Sequence, residues 1–262
     1  MYKTTHKRIL MTPREYKRLQ EQKLQEQKIK PHQKISNTFI ENVIIKNNSS
    51  AVKTVYYLAS ILENIDLDDN LLSITIDTKQ MLKYTQMTMP EIKRNIKAMQ
   101  QTSITFLDEV NNTIEGMSLL PRYKIIPGKN KIEIDIYSKI AKMIIDVKKN
   151  YTFINTQTLM NLKSKHSIRL LPVLFKISQY SDNVAKRKTF QLDDLNDLFG
   201  TSYKRLQDMD RFILAGAKDE LDLNSKLTFL YEINFDSFDV GRPKAVSITI
   251  DIIDNSRSLF AN

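Results

Sequence analysis

Apolar positions fall into two runs of the same alternation. From Ser49, the residues Val52, Val55, Tyr56, Leu58, Ala59 and Leu62 recur at the three-to-four spacing of a core-facing helix. LLSITI (71–76) then alternates as a short strand, and Asp77 or Thr78 stands where a side chain caps the next helix, TKQMLKY. In TMPEIKRNIKAMQ, Thr88 and Glu91 have capping-box spacing and Pro90 lies in the first turn. Met89, Ile92, Ile96 and Met99 form one stripe of that helix, with Lys93, Arg94 and Lys97 on the other side. Extended segments SITFL, TIEGMSL, RYKII and KIEIDI follow, the last two flanking a Pro127-Gly128-Lys129-Asn130 turn.

After YSKIAKMIIDVKKN, which reads as a short linking helix, the order returns. Ser164–Tyr180 is a helix carrying Ile168, Leu170, Leu171, Leu174, Phe175 and Ile177, with Pro172 expected to kink it. Lys186–Phe190 is a basic wing-like segment or short strand. QLDDLNDLFG is a short helix with Asp193 and Asp194 in its first turn and Gly200 at its end. A long helix is expected from Ser202 to about Leu221, then two alternating strands, LTFLYEINF and AVSITIDII, joined near Gly241-Arg242-Pro243. Helix, strand, helix, turn, longer helix and hairpin is the winged form of the helix-turn-helix. Its recurrence predicts an α+β fold of two tandem winged-helix domains, at 35–150 and 151–262.

Charge changes this picture in one place. The 262 residues carry 40 Lys plus Arg against 30 Asp plus Glu, a net +10. Ten of the bases and three acids lie in residues 1–34, a net +7, so the rest is nearly balanced. The segment Pro13–Lys30 has good helix formers, but only Tyr16, Leu19, Leu24 and Ile29 are apolar. A basic N-terminal arm over 1–34 is therefore expected, either merely solvated or adding backbone attraction to DNA. Excess base points to a polyanion, or only to solubility.

Chemistry is narrowed mainly by exclusion. Zero cysteines remove disulfides, thiolate metal sites and cysteine nucleophiles. The five glycines are too scattered for a phosphate-cradling loop, so no nucleotide cofactor is expected. His6, His32 and His166 are far apart and offer no metal set for a nicking enzyme, and Asp193, Asp194 and Asp197 are explained by helix electrostatics. No catalytic residue, metal or cofactor is expected. No apolar run reaches the length of a membrane span, and MYKTTHKRIL lacks the apolar stretch of a signal peptide, so a cytoplasmic protein is expected. The aromatics Tyr56, Tyr57, Phe175, Phe212 and Phe229 are expected in the core.

Three stretches carry a family resemblance. One is IAKMIIDVKKNYTFINTQTLMNLKSKHSIRLLPVL, with Leu162, Lys163, Ser164, Lys165, Arg169 and Leu170. The second is LDDLNDLFGTSYKRLQDMDRFILAGAKDEL, with Tyr203, Leu214, Ala217 and Glu220 in order, and the third is GRPKAVSITI. Together they resemble the initiator Rep proteins of iteron-containing theta-replicating plasmids, over about residues 36–255. His166 and Leu171 depart from usual tyrosines, and Pro172 interrupts a helix normally unbroken. The resemblance implies binding to double-stranded DNA at repeated origin sites, local opening, recruitment of the host initiator and helicase machinery, and autorepression through a monomer–dimer equilibrium. Association with plasmid or nucleoid in a bacterial host follows.

A reading helix needs side chains at base edges and bases on flanking phosphates. Candidates in the first unit are Lys79, Lys93, Arg94 and Lys97, with Lys83 beside them. In the second, Tyr203, Lys204, Arg205 and Arg211 lie on the long helix, and Arg205 is favoured for guanine. Lys163, Lys165, Lys186, Arg187, Lys188, Arg242 and Lys244 are candidate phosphate clamps. A winged-helix transcriptional repressor without initiator activity is the alternative.

Overall fold

The computed structural model describes residues 32–254 apart from 43–49, 64, 66, 68–69, 109–112, 127, 146–150, 182 and 237–242. The expected arm helix at Pro13–Lys30 lies outside the described residues, as does most of the arm. The chain is a mixture of helices and small antiparallel sheets.

The central helix of the first half is α2 (Ser50–Leu62), following β1 (His32–Ser36) and α1 (Asn37–Asn42). Val55, Tyr56, Tyr57, Leu58, Ala59, Ile61 and Leu62 are all buried, so α2 is enclosed on nearly every side rather than on one stripe. Strand β2 (Leu71–Asp77) buries Leu72, Ile74 and Ile76 at period two and leads into α3 (Thr78–Thr85), whose first turn is capped by the Asp77 carboxylate accepting from the Gln80 N–H at 2.9 Å. Helix α4 (Met89–Gln100) starts as its sequence requires. Glu91 accepts from both the Thr88 N–H and the Thr88 hydroxyl at 2.7 Å, and these donors hold its carboxyl below the usual range. Ile92, Asn95, Ile96 and Met99 face the core.

The hairpin β3 (Ser103–Asp108) and β4 (Thr113–Ser118) stands apart from the sheet β2-β6-β5, built with β5 (Arg122–Ile126) and β6 (Lys131–Tyr137). The β5–β6 turn holds Gly128 at φ 76° and Asn130 at φ 51°, left-handed conformations suited to those two residue types. Helix α5 (Ser138–Ile145) is the expected linking helix.

In the second half, β7 (Tyr151–Asn155), α6 (Thr156–Asn161) and α7 (Lys165–Ser178) precede β8 (Arg187–Phe190) and α8 (Leu192–Phe199). Helix α7 is continuous through Pro172, which is buried with Leu170, Leu171, Val173 and Leu174. Residues 186–190 resolve toward the strand alternative. Then come α9 (Leu206–Met209), a π turn (Asp210–Leu214), α10 (Ala215–Asn224) and the strands β9 (Leu227–Phe235) and β10 (Ala245–Asp254), in the sheet β8-β10-β9. The order strand, helix, helix, strand, helix, helix, strands thus occurs in both halves.

The halves are joined by more than the linking helix. Strands β1 and β7 pair antiparallel, His32 with Asn155 through Ser36 with Tyr151. Gln33, Ile35, Thr152 and Ile154 are buried on one face, while Lys34 on the other lies 4.8 Å from the Tyr151 ring centroid and 5.5 Å from that of Phe153. At the outer edge of β7, Gln179 closes both backbone groups of Phe153, accepting its N–H at 2.9 Å and donating to its carbonyl at 2.8 Å. The arm boundary set at 34 is corrected here, because His32–Lys34 belong to a paired strand. A polar seam adds to this connection. Lys53 of α2, 7% exposed, donates to the Met160 carbonyl at 2.6 Å, Tyr84 shares a 2.6 Å hydrogen bond with Thr156, and Gln86 donates to Asn161 at 2.7 Å. Burial lowers the Lys53 ammonium pKa, and Glu220 and Glu91 oppose that shift.

Candidate nucleic-acid interface

Two exposed helical faces carry the expected bases. On α4 the buried stripe fixes rotation, so Lys93, Arg94 and Lys97 all point to solvent, with Lys79 and Lys83 exposed on the preceding α3. The second face is the turn between α8 and α9 and the helix that follows. Gly200 ends α8 in the left-handed region, and the Asn196 side chain then organises the turn. Its Oδ1 accepts the Tyr203 N–H and the Thr201 hydroxyl, each at 2.9 Å, and its Nδ2 donates to the Tyr203 carbonyl at 3.0 Å.

That clasp corrects the expected helix start. With both Tyr203 backbone groups taken by Asn196, the chain is not helical from Ser202; the helix begins at Leu206, and Arg205 is its extended N-cap at φ −140°, ψ 140°. Tyr203 and Lys204 therefore belong to the turn. The exposed Arg205 guanidinium forms a fork onto Asp208, Nε and Nη2 each donating at 2.9 Å, and this pairing raises its pKa further.

Phe212 also departs from expectation. Expected in the core as an aromatic residue, it is 57% exposed. Ile213 continues the buried stripe of Leu206 and Met209 at helical spacing and Leu214 is buried beside it, while Arg211 and Phe212 of the same π turn face outward. Tyr203 stacks on Phe212 with centroids 6.2 Å apart and planes at 13°, and the Arg211 guanidinium carbon lies 5.3 Å from the Phe212 centroid. The π turn is tied to β9 by the Tyr231 hydroxyl donating to Asp210.

The expected phosphate clamps divide. Lys163 and Lys165 are exposed beside the α7 N-terminus, where Glu220 of α10 accepts the backbone N–H of Lys163 at 2.6 Å and of Ser164 at 3.0 Å. Arg187 is paired with Asp251 at 2.8 Å, and that guanidinium holds the Asp251 carboxyl below its usual range. Lys188 lies 4.9 Å from the Phe190 ring centroid, and Lys186 donates to the Tyr180 carbonyl. Lys244 is exposed just before β10; Arg242 lies outside the described residues. The structure brings Tyr203 and Arg211 together around Phe212, while Arg205 at the start of the same helix is turned onto Asp208. Asn196, Phe212 and Glu220 were not among the expected site residues.

Behind this face, His166 of α7 meets Phe199 edge-on at 5.6 Å, its Nδ1 buried. Burial, then the charges of Lys165 and Arg169, hold the imidazole down at about 4. Among the described residues no three His, Asp or Glu converge as metal ligands, and no helix is long and apolar enough to cross a membrane.

No curated protein matches the chain. A solved structure described as "Crystal structure of Pi initiator protein in complex with iteron DNA" is similar in fold, with a TM-score of 0.64 at 13% identity, covering 87% of this chain and 100% of that one. The family model described as "Initiator Replication protein, WH1" matches residues 32–175, which run from β1 through most of α7. With more than half of its length matched to that model, the chain belongs to the initiator replication protein family.

Proposed function

We propose that the protein is a sequence-specific initiator that binds repeated sites, iterons, in double-stranded DNA at a plasmid origin. The observation that carries this reading is the pair of outward basic faces on a family-matched fold: Lys93, Arg94 and Lys97 on α4, and the turn at Tyr203–Arg205 with Arg211 beyond it. The recurring element order supports a division into two tandem winged-helix domains that meet near residue 150, the first beginning at β1, set on successive major grooves of one site. In each, α4 or α9–α10 enters the groove after a turn, and the neighbouring strands lie along phosphates. Lys79, Lys163, Lys165, Lys186, Arg187, Lys188, Arg242 and Lys244 supply the salt-dependent backbone attraction, while Lys93, Arg94, Lys97, Tyr203, Lys204, Arg205 and Arg211 carry base preference.

No bond in DNA is broken in this scheme, so the protein is not an enzyme. Opening of the origin is left to the bound protein and the host initiator and helicase machinery, with dimers repressing the protein's own gene and monomers initiating in the bacterial cytoplasm. The deciding experiment transforms a suitable host with a plasmid whose only origin is this gene and its flanking DNA, and titrates the protein on the repeats found there. Replication together with preference for the repeats over a shuffled duplex is the expected result. Preference without replication points to a repressor alone. A nicked supercoiled origin with protein attached to the DNA end would refute the non-enzymatic mechanism.

A further inference from the structure

Phe212 presents an exposed phenyl ring beside the Arg211 guanidinium instead of burying it in the core. Phe212 is 57% exposed, the exposed Arg211 guanidinium lies beside it, Lys204 is exposed next to Tyr203 in the chain, and the position of the ring is held rather than loose. The Asn196 clasp fixes Tyr203, Tyr203 stacks on Phe212 at 13°, and the ring lies off the buried stripe of its helix. A flat apolar step rimmed by positive charge suits a ligand that is polyanionic overall and apolar at one point.

In the major groove of duplex DNA the base edges present donors and acceptors, with one apolar exception, the 5-methyl group of thymine. We propose that the Phe212–Tyr203 step is a thymine-reading element, with the Phe212 ring packed against that methyl group in the bound repeat and Arg211 and Lys204 on adjoining phosphates. This rests on the reading of the chain as a sequence-specific DNA-binding protein, and adds to it a specificity residue and the base feature it reads. Phe212 carries no hydrogen-bonding group, so its contribution is discrimination by a methyl, which a charge-based reading of the helix overlooks.

The test is a binding titration of the full chain, at fixed salt, on a duplex carrying the origin repeat, with thymines replaced one at a time by 2′-deoxyuridine. The replacement leaves pairing intact and removes only the methyl. At one thymine the change is expected to weaken wild-type binding about 4-fold, the value of one buried methyl-sized group. In Phe212→Ala the same replacement is expected to cost nothing. In Phe212→Leu, which serves also if the alanine variant does not fold, the penalty is expected to shrink.

A penalty unchanged in these variants, or no penalty at any thymine, overturns the assignment. Loss of self-association in Phe212→Ala with no methyl penalty overturns it in favour of a surface for a second copy of the chain. Failure of wild-type protein to prefer the repeat over a shuffled duplex refutes the DNA reading itself, and is thereby distinguished from failure of the thymine assignment alone.

Discussion

Asn196→Ala tests whether one side chain sets the geometry of the turn between α8 and α9. Asparagine at 196 makes three hydrogen bonds, at 2.9, 2.9 and 3.0 Å, two of them to the backbone of Tyr203. Each is worth a net of about 0.5–1.5 kcal/mol, and the half-buried site lets water recover part of the loss, so alanine is expected to cost about 2–3 kcal/mol. For a chain of this size that lowers the melting temperature by roughly 5–10 °C. Asn196→Asp separates the contributions. The carboxylate keeps both acceptor bonds and loses the donor, about 1 kcal/mol, and adds about 0.3–1 kcal/mol for negative charge in the last turn of α8.

Thermal unfolding followed by circular dichroism gives the ranking, with wild type above Asp and Asp at or above Ala. Site-specific DNA binding measured well below the transition is expected to fall in both variants, because Tyr203 and the Arg205 cap lose their anchor. A melting temperature in Asn196→Ala indistinguishable from wild type would refute the clasp as the organiser of the turn.

Other outcomes follow from the same geometry. Arg205→Ala is expected to lose about 1–3 kcal/mol of binding to the repeat and to relax base preference, and Asp208→Asn to tighten binding by releasing the guanidinium from its fork; a base-substitution titration reads both. Lys188→Ala is expected to weaken binding to all sequences alike and to reduce the salt slope by about 1, measured across a salt series. His166, held at about 4 by burial in the fold and near 6.5 when unfolded, contributes stability that is present above about 6.5 and lost as pH falls toward about 4, since the unfolded chain takes up the proton first. His166→Phe, which keeps an aromatic edge against Phe199, is therefore expected to show a shallower loss of melting temperature over that range, and an unaltered slope would count against the assignment. Deleting residues 1–31 is expected to lower affinity at low salt and spare site preference; the cut stops short of β1, because removing His32–Lys34 would unpair β7.

Elements with local causes were legible in the sequence. Thr88 and Glu91 announce the start of α4, and Gly200 ends α8 in the conformation that favours glycine. What escaped depends on partners distant in sequence or on which apolar residues fill a buried stripe. HQKIS has one aliphatic residue and no strand signature, yet it is a strand because YTFIN lies beside it. An aromatic residue beside Ile213 and Leu214 reads as core by its apolarity, yet Leu206, Met209, Ile213, Ala217 and Leu221 already supply the buried stripe at three-to-four spacing, and Phe212 lies off it. Helix formers at Ser202–Arg205 were outcompeted by the Asn196 amide, a capping type of contact whose sequence trace is a lone asparagine. For the site, the basic positions were readable as positions; which of them are engaged by acids, as Arg205 is by Asp208 and Arg187 by Asp251, required the fold.

The pairing of β1 with β7 has a consequence for biosynthesis. Ile35 is buried against a strand centred on Phe153, so the first half cannot complete its core when its own last strand leaves the ribosome. At synthesis rates of about 5–20 residues per second, the wait between the two strands is on the order of 6–24 seconds. During that interval the edge of β1 is unpaired and open to non-native partners. Lys34, exposed on β1 itself, is a charge of the kind that discourages edge-to-edge pairing with another chain until Tyr151–Asn155 arrives.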